Sequence, residues 1–171
     1  MHPDEITGAT LELSIAIHKE LGPGLLESVY EAILAYELRK HGFNVRRQQH
    51  VRFIYDGVVF EECYRSDLIV EDVVVVEVKS VTKLDPGSAR QLLSYMRLID
   101  MRLGLIINFG QPTLLAGVKR LVNKLPSFAN SRVRLNRPFP TRSSQKQEND
   151  TSHARGASPV SVPPASPAPP A

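Results

Sequence analysis

Four consecutive valines, Val73 to Val76, followed at once by Glu77-Val78-Lys79, constrain this chain more than any other stretch of it. A run of β-branched residues suits a pleated, packed surface, so the segment reads as a core strand. Alternate side chains on a strand point to opposite faces, which places Glu77 and Lys79 on one face at the strand's end. Charges there are costly to bury unless they are paired or bind a metal. Either the strand end lies at the surface and the charges are ordinary, or it is a site.

The neighbouring segments supply the rest of a sheet. Between 44 and 79 the apolar period is strand-like. Asp56-Gly57 is a strong hairpin signal, and Glu71-Asp72 separates two apolar runs, giving three or four antiparallel strands. Residues 5–21 are apolar in a mixed pattern but end at Gly22-Pro23, which favours a helix. In the next segment Leu26, Val29, Tyr30, Ile33, Leu34 and Leu38 recur at three and four, and Gly42 follows, so an amphipathic helix with a glycine cap is expected. "DPGSARQLLSYMRLID" reads as a third helix with Asp85 as N-cap and Pro86 at N1. "RLGLIINF" reads as a buried strand, and "TLLAGVKRLVN" as a last strand or a short helix. The order helix, helix, antiparallel strands, helix, strand predicts an α/β fold with a central mixed sheet and helices on its faces.

The charge balance divides the chain. Residues 1–125 carry 15 Lys and Arg against 16 Asp and Glu, whereas residues 126–171 carry 6 against 2 and hold 9 of the 13 prolines. Residues 141–171 therefore read as a disordered Pro/Ser/Ala-rich tail, 126–140 as a poorly determined connection, and 4–125 as the folded domain. The domain's slightly acidic balance gives no global nucleic-acid signal, so such a signal has to come from a local patch. No apolar run approaches the ~20 residues of a membrane span, and the N-terminus lacks the features of a signal peptide. Cys63 is the only cysteine, which rules out an intrachain disulfide and fits a cytoplasmic protein. It reads as a small buried hydrophobe.

Four pieces converge on the strand end: Asp67 in the strand before the turn, Glu77 and Lys79 after it, Glu27 on the second helix, and Gln91 and Tyr95 four apart on the third. A two-residue turn at 71–72 pairs Asp67 with Val76; a three-residue loop or a bulge pairs it with Glu77 instead, at a Cα separation of about 5 Å. Two carboxylates that close repel unless a proton or a cation sits between them. Hard cations such as Mg²⁺ take oxygen ligands of this kind, and a lysine two residues along adds positive potential, which suits metal-assisted phosphodiester hydrolysis.

The spacing Asp67, nine residues, Glu77-Val78-Lys79 resembles the D-(x)n-E-x-K arrangement of the PD-(D/E)xK nuclease superfamily. "GLLESVY", with Gly24, Glu27 and Tyr30, resembles the signature of its GxxExxY family, and "QLLSY" resembles the Q-x-x-x-Y motif of RecB-like nucleases. The resemblance covers about residues 5–123. It implies a restriction-endonuclease-like core and a Mg²⁺ or Mn²⁺ cofactor. It further implies that Asp67 and Glu77 are metal ligands together with the Val78 carbonyl, and that Glu27 completes the metal site. Lys79 would position the water or stabilise the transition state, and Gln91 and Tyr95 would line the site and orient Lys79 or the substrate. Ser66 stands where the superfamily's name has proline.

Every one of these residues also has an ordinary reading. Glu77 and Lys79 can be a solvated pair, Glu27 a first-turn helix acid favoured by the dipole, and Gln91 and Tyr95 helix surface and core. Arg46, Arg47 and Arg52 can meet a phosphate backbone or simply line a solvated strand edge. His18, His41 and His50 have no metal-ligand spacing. The functional expectation is a metal-dependent nuclease acting on DNA or RNA. The alternatives are a nuclease-fold binding or regulatory module without turnover, and a defence or toxin component acting only with a partner. A homodimer or a protein partner fits a domain with so little beyond its core.

Overall fold

The computed structural model describes residues 2–124 and 133–135. The expected tail at 141–171 and most of the connection lie outside the described residues, as does the side chain of Cys63. The chain order is α1 (Pro3–Leu21), α2 (Glu27–Lys40), β1 (Val45–Tyr55), β2 (Val58–Val70), β3 (Val74–Lys79), α3 (Gly87–Leu98), β4 (Leu103–Asn108), a 3₁₀ turn (Leu114–Gly117), β5 (Val118–Val122) and β6 (Val133–Leu135). The strands form one mixed sheet in the order β5-β4-β3-β2-β1-β6. Only β3 and β4 are parallel, and α3 is the crossover between them. This is the α/β arrangement expected, and the segment after β4 is both of the things considered for it, a short 3₁₀ turn and then a strand.

One side of the sheet packs on α1 and α2. Val74, Val76 and Val78 of β3 and Leu103, Leu105 and Ile107 of β4 form a buried cluster with Ile6, Ile17, Tyr30, Leu34 and Leu38. The mixed pattern of α1 has a local cause: its buried face includes Thr10 and Ser14, whose hydroxyls donate to the Ile6 and Thr10 carbonyls at 2.7 Å each. Polar side chains satisfied in this way can be buried at little cost. α3 lies against β4 through Leu92 and Met96. A Cβ at Gly104 would lie 2.6 Å from Met96 Sδ, so glycine is what lets the helix settle there.

Helix ends and turns follow from sequence with some corrections. α2 closes as expected on Gly42, at φ 85°, with Gly42 N–H donating to Arg39 O and Phe43 N–H to Leu38 O. The buried face of α2 differs from the one read from periodicity. Leu26 and Val29 are exposed, while Glu31 is buried beside Tyr30 and Leu34. α3 starts one residue later than expected: Pro86, in helical conformation, takes the cap position, and the bond at the start is backbone only, from Ser88 N–H to Asp85 O.

The Asp56-Gly57 turn joins β1 to β2, both residues at positive φ, with Tyr55 opposite Val58. The loop from β2 to β3 is the three-residue alternative. Val70 pairs with Val74 and Leu68 with Val76, leaving Glu71, Asp72 and Val73 between, and Glu71 and Asp72 adopt φ of 53° and 57°. The ladder's last pair is Leu68 with Val76, so Asp67 and Glu77 are the next residues out on their strands.

Candidate active site

Beyond Leu68 and Val76 the bonding between β2 and β3 changes from backbone to side chain. Asp67 Oδ2 accepts from the Val78 N–H at 2.9 Å. No other hydrogen bond or ion pair engages Asp67 among the described residues. Lys79 Nζ donates to Glu77 Oε1 at 2.9 Å, so the two charges that share a strand face form a pair. The other oxygen, Glu77 Oε2, accepts from the Tyr64 hydroxyl at 2.9 Å. Sequence reasoning passed over Tyr64, because a tyrosine in a strand carries no signal until the partner of its hydroxyl is known.

The electrostatics match this crowding. Burial, and then the neighbouring Glu77 charge, push the Asp67 carboxyl up to about 6, against the pull of the Val78 N–H and of Lys79; Glu31 adds to the push. Burial opposes the charge of Lys79, but its hydrogen bond and attraction to Glu77, with Glu27 and Asp67 behind, hold the ammonium above its ordinary value. Burial and the Glu77 carboxylate push the Tyr64 phenol far up, so it stays a donor.

Glu27 reaches the same strand end from α2: its Oε1 accepts from the Ser80 N–H at 3.0 Å, while Ser80 Oγ donates to Leu25 O at 2.6 Å. From the other side Asn108, opposite Lys79 on β4, grips the chain after the strand. Its Oδ1 accepts from Val81 N–H at 2.9 Å and Gly110 N–H at 3.1 Å, and its Nδ2 donates to Val81 O at 2.8 Å. A fully buried asparagine closing the apolar strand "LGLIIN" was a legible signal that went unused. Gln91 and Tyr95 are where α3 meets the site. With Glu77, Lys79, Ser88 and Leu92 they line a recess of about 10 Å³. Gln91 Nε2 donates to Tyr95 Oη at 3.3 Å, and the Tyr95 ring stacks on Tyr64 with centroids 3.7 Å apart and planes 11° apart. A wider groove of about 560 Å³, lined by Gly24, Leu25, Leu26, Glu27, Ser28 and Ser80, opens at the same strand end.

A second charged cluster lies on the α2 side. Glu31 Oε1 accepts from Arg47 Nε at 2.9 Å, and Gln48 Nε2 donates to Glu31 Oε2. Successive strand residues normally face opposite ways; Gln48, at φ 50°, breaks the alternation and turns to the same carboxylate as Arg47. The three arginines considered for phosphate contact are all in ion pairs, Arg46 with Asp72, Arg47 with Glu31 and Arg52 with Glu61.

Among the described residues no three His, Cys, Asp or Glu side chains are gathered closely enough to hold a metal ion. The carboxylate of Glu27 is spent on Ser80, so it does not join Asp67 and Glu77 in this arrangement. The pair itself fits a hard divalent cation. It offers oxygen donors only, one carboxyl already lifted by burial and by its neighbour, and an Asp67 Oδ1 with no protein partner among the described residues. Among the described residues no helix is long and apolar enough to cross a membrane. Comparison with curated proteins gives no match, and neither does comparison with solved structures. A family model for the PD-(D/E)XK nuclease superfamily matches residues 4–121, which span both helices, the β2–β3 carboxylates and the parallel β3–β4 pair. The chain belongs to the PD-(D/E)XK nuclease superfamily.

Proposed function

We propose that this protein is a Mg²⁺- or Mn²⁺-dependent nuclease of the GxxExxY kind that hydrolyses phosphodiester bonds in DNA or RNA. The observation that carries the reading is the open end of the β2–β3 ladder, where Asp67 and Glu77 follow the last backbone pair and Lys79 is held against Glu77. Asp67, Glu77 and the Val78 carbonyl would hold the cation, and Glu27, which here accepts from the Ser80 N–H, would complete the set. When bound, the cation supplies Lewis acidity and a water of lowered pKa. Lys79, kept charged by its carboxylate neighbours, places positive potential where charge develops on the phosphate and holds the attacking water. Gln91 and Tyr95 wall the site from the α3 side. The folded domain is 4–125, it works in the cytoplasm, and its basic tail strengthens nonspecific nucleic-acid contact.

A second reading is a fold-keeping module that binds metal without turnover, and it draws on both Glu77 oxygens being engaged by protein donors. Purified protein should be assayed on single- and double-stranded DNA and RNA with Mg²⁺, Mn²⁺ or EDTA, beside melts in the same buffers. Metal-dependent cleavage with a metal-induced rise in melting temperature is expected. A rise without cleavage on any substrate selects the module, and the absence of both refutes the metal site.

A further inference from the structure

We propose that Tyr64 is the positioning residue of this site, fixing Glu77 for metal binding, and that Tyr95 serves as the platform that holds the Tyr64 ring. The inference rests on the metal-dependent reading above and concerns how the ligand is oriented. Glu77 lies one residue past the last β2–β3 backbone pair, so the ladder no longer fixes it from the β2 side. Its backbone is still paired with Ile106 of β4, but that pairing leaves the carboxylate free to sample several rotamers, and a ligand has to present one oxygen at one angle. Two groups hold Glu77. Lys79 takes Oε1, but it rides on the same strand end and has a long flexible stem. Tyr64 takes Oε2 from the neighbouring strand through a rigid side chain with two χ angles.

The stack makes that anchor firm. Tyr64 is buried, and its ring lies nearly parallel to Tyr95. Its hydroxyl has one hydrogen, which goes to Glu77, so it occupies one lone pair of Oε2 and leaves the second open for a cation. Tyr64 stands three residues before Asp67 on β2. That strand therefore supplies one carboxylate and the group that orients the other. Tyr95 touches neither carboxylate through a hydrogen bond: its hydroxyl accepts from Gln91, and its ring meets Tyr64. Its contribution is the ring, so a phenylalanine there should serve as well.

The test is calorimetric titration of the full chain with Mn²⁺ alone, on wild type, Tyr64→Phe, Tyr95→Phe and Tyr95→Leu, with melting temperatures taken in EDTA. Tyr64→Phe keeps the stacked ring and removes one oxygen. It is expected to weaken Mn²⁺ binding about 10–100-fold, the usual effect of losing a partner that orients a metal ligand. Tyr95→Phe should bind as wild type, and Tyr95→Leu should weaken binding by a factor similar to Tyr64→Phe. A purely structural Tyr64 would lower the melting temperature and leave Mn²⁺ affinity unchanged, which overturns the inference while the nuclease reading stands. Equal losses in Tyr95→Phe and Tyr64→Phe would overturn the platform role, because the Tyr95 hydroxyl would then matter. Wild type that binds no Mn²⁺ overturns both the nuclease reading and this one.

Discussion

Replacing Asp67 with asparagine should make the metal-free protein more stable. The carboxyl is lifted to about 6 by burial and by Glu77, whereas an unfolded chain would hold it near 3.8. The folded state thus binds this proton more tightly than the unfolded state. The stability contributed by protonation is complete below about pH 4 and is lost as pH rises through about 6, so at pH 8 the ionised group works against folding. Raising the carboxyl from 3.8 to about 6 corresponds to at most ~3 kcal/mol, and solvent screening at a half-buried carboxyl reduces this to about 1–2 kcal/mol. Asparagine keeps an oxygen for the Val78 N–H and carries no charge. Urea melts in EDTA should therefore show Asp67→Asn more stable by about 1–2 kcal/mol at pH 8 and level with wild type near pH 4. Saturating Mn²⁺ should reverse the order, because wild type gains about 2.7 kcal/mol at a hundredfold excess over Kd and the variant gains nothing. Equal stability of the two proteins at pH 8, or the same gain at both pH values, would refute the reasoning.

Three other substitutions or deletions probe separate parts of the account. Lys79→Ala should keep the Mn²⁺-induced rise in melting temperature, since lysine is no ligand, while cleavage falls about 100-fold or more in a gel assay. Asn108→Ala leaves the Val81 N–H and C=O without their side-chain partner and should cost about 2–4 kcal/mol in a urea melt; a loss under about 0.5 kcal/mol would show that the grip on β3 is not needed. Deleting residues 141–171 should leave the calorimetric melting temperature within about 2 °C of the full chain and lower only salt-sensitive nucleic-acid affinity.

Much of the fold was legible because its strongest signals are local. The valine run could only be a core strand, and Asp56-Gly57 could hardly be anything but a two-residue turn. Glu77 and Lys79 on one face follow from the strand period alone. What sequence left open depends on backbone conformations that no periodicity records. The register that brings Asp67 level with Glu77 hangs on Glu71 and Asp72 adopting left-handed φ, and both the two- and three-residue loops were open to that sequence. Glu31 is a charged residue outside the apolar period of α2. It is buried because Gln48, also left-handed, and Arg47 both turn to it. Leu26, the cap residue of α2, and Val29 matched the helical period but lie outside the buried set of Tyr30, Leu34 and Leu38, and stay exposed. Tyr64 gained its part only because the β2–β3 ladder stops short of it.

The central claim is that Asp67 and Glu77 at the open end of β2 and β3 form the metal site of a nuclease. The most direct measurement is single-turnover cleavage of end-labelled single- and double-stranded DNA and RNA by purified protein in Mn²⁺, with Glu77→Gln run in parallel. Wild type should cut at least one substrate, EDTA should stop it, and Glu77→Gln should cut none. Cleavage that persists unchanged in Glu77→Gln, or a wild type inactive on every form, would contradict the account.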